Sequence, residues 1–353
     1  MSRRTAQPPV VWDGPGSPGS PGSPDGAAAD RPRAIRGALG PADRAFRVLA
    51  GGSGSAVLAI MLLVGGFLAY QASRALDVAG FSFLTTAEWN PDSGRFGIAA
   101  VLTGTCLIGL VAVSCALPLA LGTALYISEY APRRIRSTLI SLVDLMAAVP
   151  SVVYGLWGFF FFQTHVVGLA RWISTYFSWI PLFEVDGADP RDPLATATVY
   201  TSSTFIAGLV VALMVTPIAC SVMREAFSQA PSGEREGALA LGSTRWGMIR
   251  AVVLPYGRGG IIGGTMLGLG RALGETIAVY MIISPVFEIQ PHLLQNGTNS
   301  VSSLIALRYG SSSPEGISAL MAAGLALFVL TLVVNFIASS ITARSRAGAG
   351  AEA

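Results

Sequence analysis

Long apolar runs, separated by shorter polar segments, follow one another from about residue 47 to residue 341. A run of roughly 20 apolar residues is long enough to cross the hydrocarbon core of a bilayer as an α-helix. The pattern predicts six such spans, at 53–73, 98–126, 138–162, 203–223, 259–284 and 317–341. We therefore expect an all-α integral membrane protein with six transmembrane helices.

The composition supports this membrane prediction. Hydrophobic residues make up 52% of the 353 residues and charged residues only 12%, against about a quarter charged in soluble domains. A large soluble core would need shorter apolar runs with charged faces, so the composition disfavours a soluble fold.

All 23 basic residues are arginines, and their distribution predicts the orientation of the spans. They concentrate before the first span, between the second and third, between the fourth and fifth, and after the sixth. Arginine-rich segments that flank membrane spans stay in the cytoplasm. The prediction is a multi-pass protein with both termini in the cytoplasm, in which Arg271 is the arginine that falls inside a span.

The absence of lysine restricts the chemistry of the chain. Without lysine it can form neither a phosphate-binding P-loop nor a Schiff base, so any ATP must be hydrolysed by another subunit. His165 and His292 fall in predicted external loops, and Cys106, Cys115 and Cys220 fall inside apolar spans without metal-like spacing. We expect no catalytic site, no metal site and packing roles for the cysteines.

Three regions are predicted along the chain. Residues 1–46 are rich in Pro, Gly, Ser and Ala and cannot bury enough apolar surface to fold, so we expect a disordered cytoplasmic tail. Residues 47–341 form the six-span domain, with a cytoplasmic loop at 224–258. Residues 342–353 form a cytoplasmic C-terminal tail.

The predicted external loop at 163–202 contains an aromatic stretch, formed by Trp172, Tyr176, Phe177 and Trp179. Such a stretch is typical of a segment that lies along the membrane interface. Capping of the helix bundle and docking of a soluble partner are both open for this loop.

The polar loop between spans four and five has the periodicity of helices. Ser232 is a candidate N-cap with acidic residues in the following turn, and Gly242 permits a sharp turn. Leu254 and Pro255 are expected to end the segment before the next span. The pattern predicts two short surface helices joined at Gly242, and an amphipathic loop on the lipid surface is the alternative.

The predicted fifth span is rich in glycine at helical spacing. Gly260, Gly264 and Gly268 are four residues apart, and so are Gly270 and Gly274. Small residues at this spacing let helices approach closely inside a membrane.

The same span carries two charged residues, Arg271 and Glu275, at a spacing that predicts one helix face and an ion pair. Charge inside a membrane is costly and usually marks a translocation route. Arginine suits an anion, because its planar fork binds phosphate-like oxygens in bidentate fashion. A structural ion pair that fixes helix register is the alternative.

Polar residues also fall in the predicted third span. Pro150 removes a helix hydrogen bond there, and Ser151 and Tyr154 place hydroxyl groups just beyond it. A kinked span of this kind lines a path, or its kink serves packing alone. Asp144, about two turns into the span, either reaches the cytoplasmic face or pairs with a loop arginine.

One motif of the 224–258 loop resembles the EAA loop of ABC-importer permeases. It consists of Glu236, Gly237, Ala238, Gly242, Leu254 and Pro255. In that family the loop forms the coupling helix, which sits in a groove of the ATPase subunit. Gly237 stands where the family more often has alanine.

Three further segments are similar to the C-type permeases of the phosphate-specific (Pst) ABC importers. They are Pro118–Pro132, Ala147–Gly158 and Leu267–Val279, and the likeness covers roughly 47–341. It implies a type I ABC importer permease (MetI-like) fold in which Arg271 and Glu275 serve transport. Asp144 stands where the family more often has glutamate.

The resemblance implies import of inorganic phosphate across the bacterial cytoplasmic membrane. It implies that a separate ATPase uses ATP and Mg²⁺, and that this chain binds no cofactor. The implied partners are an A-type permease that completes a heterodimer, two copies of the ATPase subunit, an extracytoplasmic phosphate-binding protein and membrane lipid, but no nucleic acid. A homodimer of permeases is also conceivable.

Other functions remain open on the residues alone. Arg271 does not distinguish phosphate from sulfate or molybdate. A secondary transporter or channel would not need a surface helix like 236–255 and would often show inverted repeats. A membrane receptor or scaffold would not need Arg271 beside Glu275.

Overall fold

The computed structural model describes residues 40–186, 189, 192 and 197–349. Most of the predicted tail at 1–46 lies outside these residues, and its last residues, from Pro41, belong to the first helix. The chain divides into two units, 1–58 and 59–353. In the first unit the structure describes the exposed start of the first helix, and the second unit holds the other helices.

The described residues form twelve α-helices and one small β-hairpin. The helices are α1 (Pro41–Ala79), α2 (Ala99–Leu125), α3 (Arg133–Ala148), α4 (Ser151–Trp157), α5 (Gln163–Phe177), α6 (Thr204–Ser228), α7 (Ser232–Ala240), α8 (Arg245–Met248), α9 (Leu254–Gly274), α10 (Ile277–Ile282), α11 (Val301–Arg308) and α12 (Pro314–Ala349). The antiparallel strands are β1 (Trp89–Asn90) and β2 (Arg95–Phe96).

Short segments of other helical geometry extend or join these helices. The π-helical segments are Tyr126–Tyr130 after α2, Gly158–Phe162 between α4 and α5, and Ile249–Val253 between α8 and α9. The 3₁₀ segments are Gly80–Leu84, Pro91–Ser93, Pro181–Phe183, Ala197–Tyr200 and Tyr309–Ser311. Because α12 continues to Ala349, most of the predicted C-terminal tail is helical.

Among the described residues, five helical segments are long and apolar enough to cross a membrane. They are Pro41–Leu84, Ala99–Tyr130, Ser151–Phe177, Thr204–Ser228 and Pro314–Ser340. The predicted fifth span at 259–284 is divided between α9 and α10, and the glycines of α9 lower its hydropathy. With α9 counted as the sixth, the architecture agrees with the predicted all-α protein of six spans.

The predicted boundaries of the third span are wrong. The spanning segment is Ser151–Phe177, and α3 is a separate amphipathic helix. Pro150 lacks an amide hydrogen and forces the preceding Val149 into an extended conformation, so the proline separates two helices instead of kinking one.

The different boundaries of the third span also place residues of the predicted external loop on a helix. Trp172, Tyr176, Phe177 and His165 lie on α5, inside the spanning segment. Trp179 follows the helix and is largely exposed.

The core of the bundle is formed by α2, α6 and α9. Small side chains make this packing possible, since Ala112 and Ala116 of α2 and Ala207 of α6 are fully or almost fully buried. A Cβ added to Gly208 of α6 would lie 2.6 Å from the Val111 side chain, so the two helices approach closely at this point.

The glycines of α9 divide into two groups. An added Cβ would overlap Ala226 at Gly260, would lie 3.0 Å from the Ala219 carbonyl oxygen at Gly264, and 2.6 Å from Val215 at Gly268. All three glycines therefore face α6, as their spacing predicts.

The second glycine pair of α9 does not pack in this way. An added Cβ at Gly270 or Gly274 would meet nothing within 4 Å in the described chain. The role of this pair in close helix packing therefore stays a prediction, since the described residues place no atom of another helix near either glycine.

We expect Gly260→Ala to destabilise the bundle, because its methyl group would overlap Ala226 and overpacking costs about 1–3 kcal/mol. Gly263→Ala is a matched control on the same helix, where nothing lies within 4 Å of an added Cβ. Thermal unfolding of the purified protein in detergent should give a lower Tm for Gly260→Ala only. Equal Tm values for the two variants would contradict the close packing of α6 and α9.

Candidate functional site

The fifth span is interrupted beside its charged residues. Helix α9 ends at Gly274, and Glu275 is extended, with φ −68° and ψ 124°. Arg271 lies in the last turn of α9, whereas Glu275 lies beyond its end, so the prediction of a shared helix face is wrong. The two side chains form no ion pair in the part of the chain that the structure describes.

Glu275 instead stabilises the interruption. Its residue is only 9% exposed, and its Oε1 accepts a hydrogen bond of 3.3 Å from the amide of Ala278, in the first turn of α10. A carboxylate at a helix N-terminus satisfies a free N–H group and interacts favourably with the helix dipole. The Glu275 carbonyl accepts a second hydrogen bond, of 2.8 Å, from the Ser302 hydroxyl.

The segment that provides Ser302 is buried and polar. Thr298, Asn299, Ser300 and Ser303 are each less than 5% exposed, and Ser300 and Ser303 form a capping box at the start of α11. This cap satisfies the amide groups that the start of a helix leaves without partners. At the interruption, Glu275 is thus buried against this polar segment.

Arg271 is exposed and lines a cavity of about 570 Å³. The other lining residues are Ile218, Met266, Leu267, Gly270 and Asn335. An arginine in such a position can offer several N–H donors to an anion that enters the cavity.

Asn335 was not among the predicted site residues. Its signal in the sequence is a lone amide within the apolar run of α12, between Val334 and Phe336. An amide side chain can donate hydrogen bonds beside Arg271, so Asn335 is a further candidate for the lining of an anion path.

The polar residues of the third span have different surroundings. The Tyr154 hydroxyl donates a hydrogen bond of 3.1 Å to the Met146 carbonyl and so bridges the gap between α3 and α4. Ser151 is the first residue of α4. An added Cβ at Gly155 would lie 3.0 Å from Ala278 Cα, so α4 packs against α10 next to the interruption.

Asp144 lies on α3 rather than inside a span, which corrects its predicted position. It is exposed and accepts a hydrogen bond of 3.3 Å from the Ser221 hydroxyl on α6. Its observed partner is therefore a hydroxyl group and not a loop arginine.

The polar segment between α6 and α9 forms two short helices, as predicted. Gly242 adopts φ +85° between α7 and α8, a conformation that side chains strongly disfavour. The predicted N-cap is wrong, since Ser232 is the first residue of α7 and follows Pro231 without a side-chain cap. The cap that forms is on α8, where Thr244 Oγ1 accepts a hydrogen bond of 3.1 Å from the Gly247 amide.

Leu254 and Pro255 begin α9 instead of ending the preceding segment. The chain stays helical from Arg245 to Gly274. Pro255 has no amide hydrogen, and the π-helical segment Ile249–Val253 immediately before it accommodates the missing hydrogen bond. Helix α8 is therefore joined to the fifth span by one continuous helical segment.

The outer side of this segment exposes apolar side chains. Leu241 is 91% exposed, Trp246 56% and Leu239 45%, and Glu236 and Gly237 are exposed beside them. Ala238 faces the other way and packs on the buried cluster that includes Ile249. We call Glu236, Leu239, Leu241 and Trp246 the docking surface, since large exposed apolar side chains on a polar segment are typical of protein–protein contact.

Comparison with known proteins agrees with this architecture. Residues 116–347 match the family described as "Binding-protein-dependent transport system inner membrane component". The phosphate transport system permease protein PstC 2 of Mycobacterium tuberculosis is 36% identical over 303 residues, which cover 85% of this chain and 91% of that protein. PstC of Pasteurella multocida is 37% identical over 272 residues, which cover 76% and 81%.

Solved structures share the fold. A chain of a bacterial alginate ABC transporter, in complex with an alginate pentasaccharide-bound periplasmic protein, has a TM-score of 0.57 at 16% identity, covering 85% of this chain and 95% of that one. A chain of the MetNI methionine ABC transporter has a TM-score of 0.50 at 13% identity, covering 70% and 95%. The chain therefore belongs to the family of binding-protein-dependent transport system inner membrane components, the permeases of ABC importers.

Proposed function

We propose that this chain is the permease subunit through which an ATP-driven importer moves inorganic phosphate across the bacterial cytoplasmic membrane. The observation that carries the proposal is Arg271, an exposed guanidinium within a membrane span that lines a cavity of about 570 Å³. The similar proteins named phosphate transport system permeases favour phosphate among the possible anions. Import of sulfate or molybdate is the alternative, since the same side chain can bind any tetrahedral oxyanion.

The chain transports without a catalytic site of its own. It has no lysine for a P-loop, and its described residues hold no cluster of three or more His, Cys, Asp or Glu suited to a metal ion. ATP and Mg²⁺ are used by a separate ATPase subunit, and this chain binds no cofactor.

The docking surface is where that ATPase binds. Its apolar side chains are exposed in the isolated chain, and its residue Trp246 lies on α8, which leads without interruption into α9. The distribution of arginines in the loops supports a cytoplasmic location for this surface and for both termini. Two ATPase copies bind the heterodimer of this chain and an A-type permease, and an extracytoplasmic phosphate-binding protein delivers the substrate.

Uptake of radiolabelled phosphate tests the proposal in cells that lack this chain and other phosphate importers. Restoring the chain should restore uptake, and energy poisoning should abolish it. Excess sulfate or molybdate should not compete, because the proposed substrate is phosphate. Competition by either anion would favour the alternative substrate, and the absence of restored uptake would contradict the proposal.

Arg271→Gln should reduce phosphate uptake by about 10- to 100-fold, because a hydrogen bond to a charged group contributes roughly 1.5–3 kcal/mol. Arg271 is exposed, so its replacement should leave the amount of assembled transporter unchanged. Arg258→Gln is a matched control, since this arginine is also exposed but lies at the opposite end of α9. Normal uptake by Arg271→Gln would exclude a direct role for the guanidinium.

Leu241→Glu should reduce both uptake and co-purification of the ATPase by about tenfold or more, because contacts at the centre of an interface contribute roughly 2 kcal/mol. Leu241 packs on little within this chain, so its own fold should be unaffected. Gly237→Ala is the control in the same segment, where an added Cβ meets nothing within 4 Å. If Leu241→Glu binds the ATPase as well as the unchanged protein, the docking surface is not the ATPase site.

A further inference from the structure

Helix α7 is attached to the bundle by few contacts of its own. None of its nine residues is buried, and Ala238 is the residue that packs on the neighbouring buried cluster. A helix held so weakly by apolar contacts needs another attachment if its displacement is to reach the rest of the bundle.

That attachment is an ion pair. Arg235 Nη2 of α7 lies 3.3 Å from Oε1 of Glu129, in the π-helical segment Tyr126–Tyr130 at the end of α2. The Glu129 side chain is only 5% exposed and the Arg235 side chain 23%. The Ser128 hydroxyl donates a hydrogen bond of 2.7 Å to the same carboxylate oxygen.

Arg235 also contacts a third helix. Its Nη2 donates a hydrogen bond to the carbonyl of Phe227, in the last turn of α6. The Phe227 carbonyl, which also accepts the Ala230 amide, lies at the negative end of the helix dipole of α6. One guanidinium therefore connects α7 to the ends of both α2 and α6.

Helix α8 contacts the same end of α2. The Arg245 guanidinium lies 5.7 Å from the centre of the Tyr130 ring, next to Glu129 in the chain. Helices α7 and α8, which carry the docking surface, thus both contact the segment Tyr126–Tyr130. That segment lies about 100 residues earlier in the sequence.

At its other end, α2 contacts the interruption of the fifth span. The Thr105 hydroxyl accepts a hydrogen bond of 3.0 Å from the Val301 amide, and the neighbouring Ser302 donates its hydroxyl to the Glu275 carbonyl. Helix α2 therefore connects the surroundings of the docking surface with those of Arg271.

Stability alone is a weak explanation for the ion pair. Burying two charges is costly, and apolar residues of similar volume often stabilise a protein as well or better. The pair does provide a fixed geometry, since separation of the helices would leave the Glu129 carboxylate, whose side chain is only 5% exposed, without its charged partner.

We propose that Glu129 and Arg235 are positioning residues that transmit movement of α7 to α2 and so couple ATP hydrolysis to opening of the phosphate path. The inference rests on the proposed function, in which α7 binds the ATPase. The ion pair makes α2 move with α7, and the contacts of α2 at Thr105 carry that movement to the interruption beside Arg271.

A double-mutant cycle tests the inference in proteoliposomes that contain the complete transporter, with its partner permease, ATPase and binding protein. Glu129→Gln, Arg235→Gln and the double variant are compared by the number of phosphate ions imported per ATP hydrolysed. Each single change should lower this ratio about tenfold while hydrolysis continues. The double variant should be no worse than either single variant, because all three lack the same contact.

Glu234→Gln is the matched control, since Glu234 is exposed on the same helix. If Arg235→Gln assembles poorly, Arg235→Lys keeps the charge but has no guanidinium fork to reach Glu129 and Phe227 together, and it should give an intermediate ratio. The Tm and the yield of each complex separate folding from coupling.

Three outcomes would overturn the inference. An unchanged ratio in the assembled single variants would make the pair purely structural, even if the Tm falls. Losses that add up in the double variant would show that the residues act independently. A wild-type transporter that hydrolyses ATP without importing phosphate would overturn the proposed function itself, whereas the first two outcomes leave that function intact.

Discussion

In a bilayer every backbone N–H and C=O group must find a partner within the protein, and the interruption of the fifth span has to meet this constraint. Glu275 meets it twice, through its carboxylate for the Ala278 amide and through its carbonyl for the Ser302 hydroxyl. Thr105 fixes the segment that supplies Ser302 by accepting the Val301 amide. Helices α2, α9, α10 and α11 meet at this point, so their arrangement depends on it.

This use of Glu275 changes the role of the neighbouring arginine. A glutamate paired with Arg271 would compete with any anion for the guanidinium. In the structure the Glu275 carboxylate is occupied by a backbone amide instead, and Arg271 faces a cavity. A cation without a carboxylate partner in a membrane span is costly unless water or a substrate anion reaches it. The position of Arg271, beside a cavity and away from the Glu275 carboxylate, is therefore consistent with a path for anions beside α9.

The sequence predicted features that depend on local spacing. Five of the predicted apolar runs correspond to long apolar helices in the described residues, the third with shifted bounds, and the glycines of α9 that face α6 and the turn at Gly242 also agree with the structure. Features that depend on distant partners were missed. A helical pattern continues through residues 271–275, and the buried hydroxyl of Ser302, which interacts with the end of that helix, comes from a remote segment. Glu129 and Arg235 are about 100 residues apart, so no local pattern could pair them.

The motif that contains the docking surface was identified by resemblance, but only the fold explains why its apolar side chains are exposed. Leu241 is exposed because the turn at Gly242 directs it away from the bundle, a consequence that spacing alone does not give.

The effect of Pro150 was predicted wrongly because a proline can either kink one helix or separate two helices. The extended conformation of Val149 shows that Pro150 separates α3 from α4.

Helix α9 has glycine on two faces, for two different reasons. One face needs glycine because α6 lies so close that any side chain at Gly260 or Gly268 would collide with it. Gly270 and Gly274 lie on either side of Arg271, and in the part of the chain that the structure describes no other element comes within 4 Å of an added Cβ at either position. Large side chains at these two positions would narrow the space around the guanidinium, whereas glycine leaves room for a hydrated or tetrahedral anion. The same residue type therefore closes one face of α9 and keeps the other open.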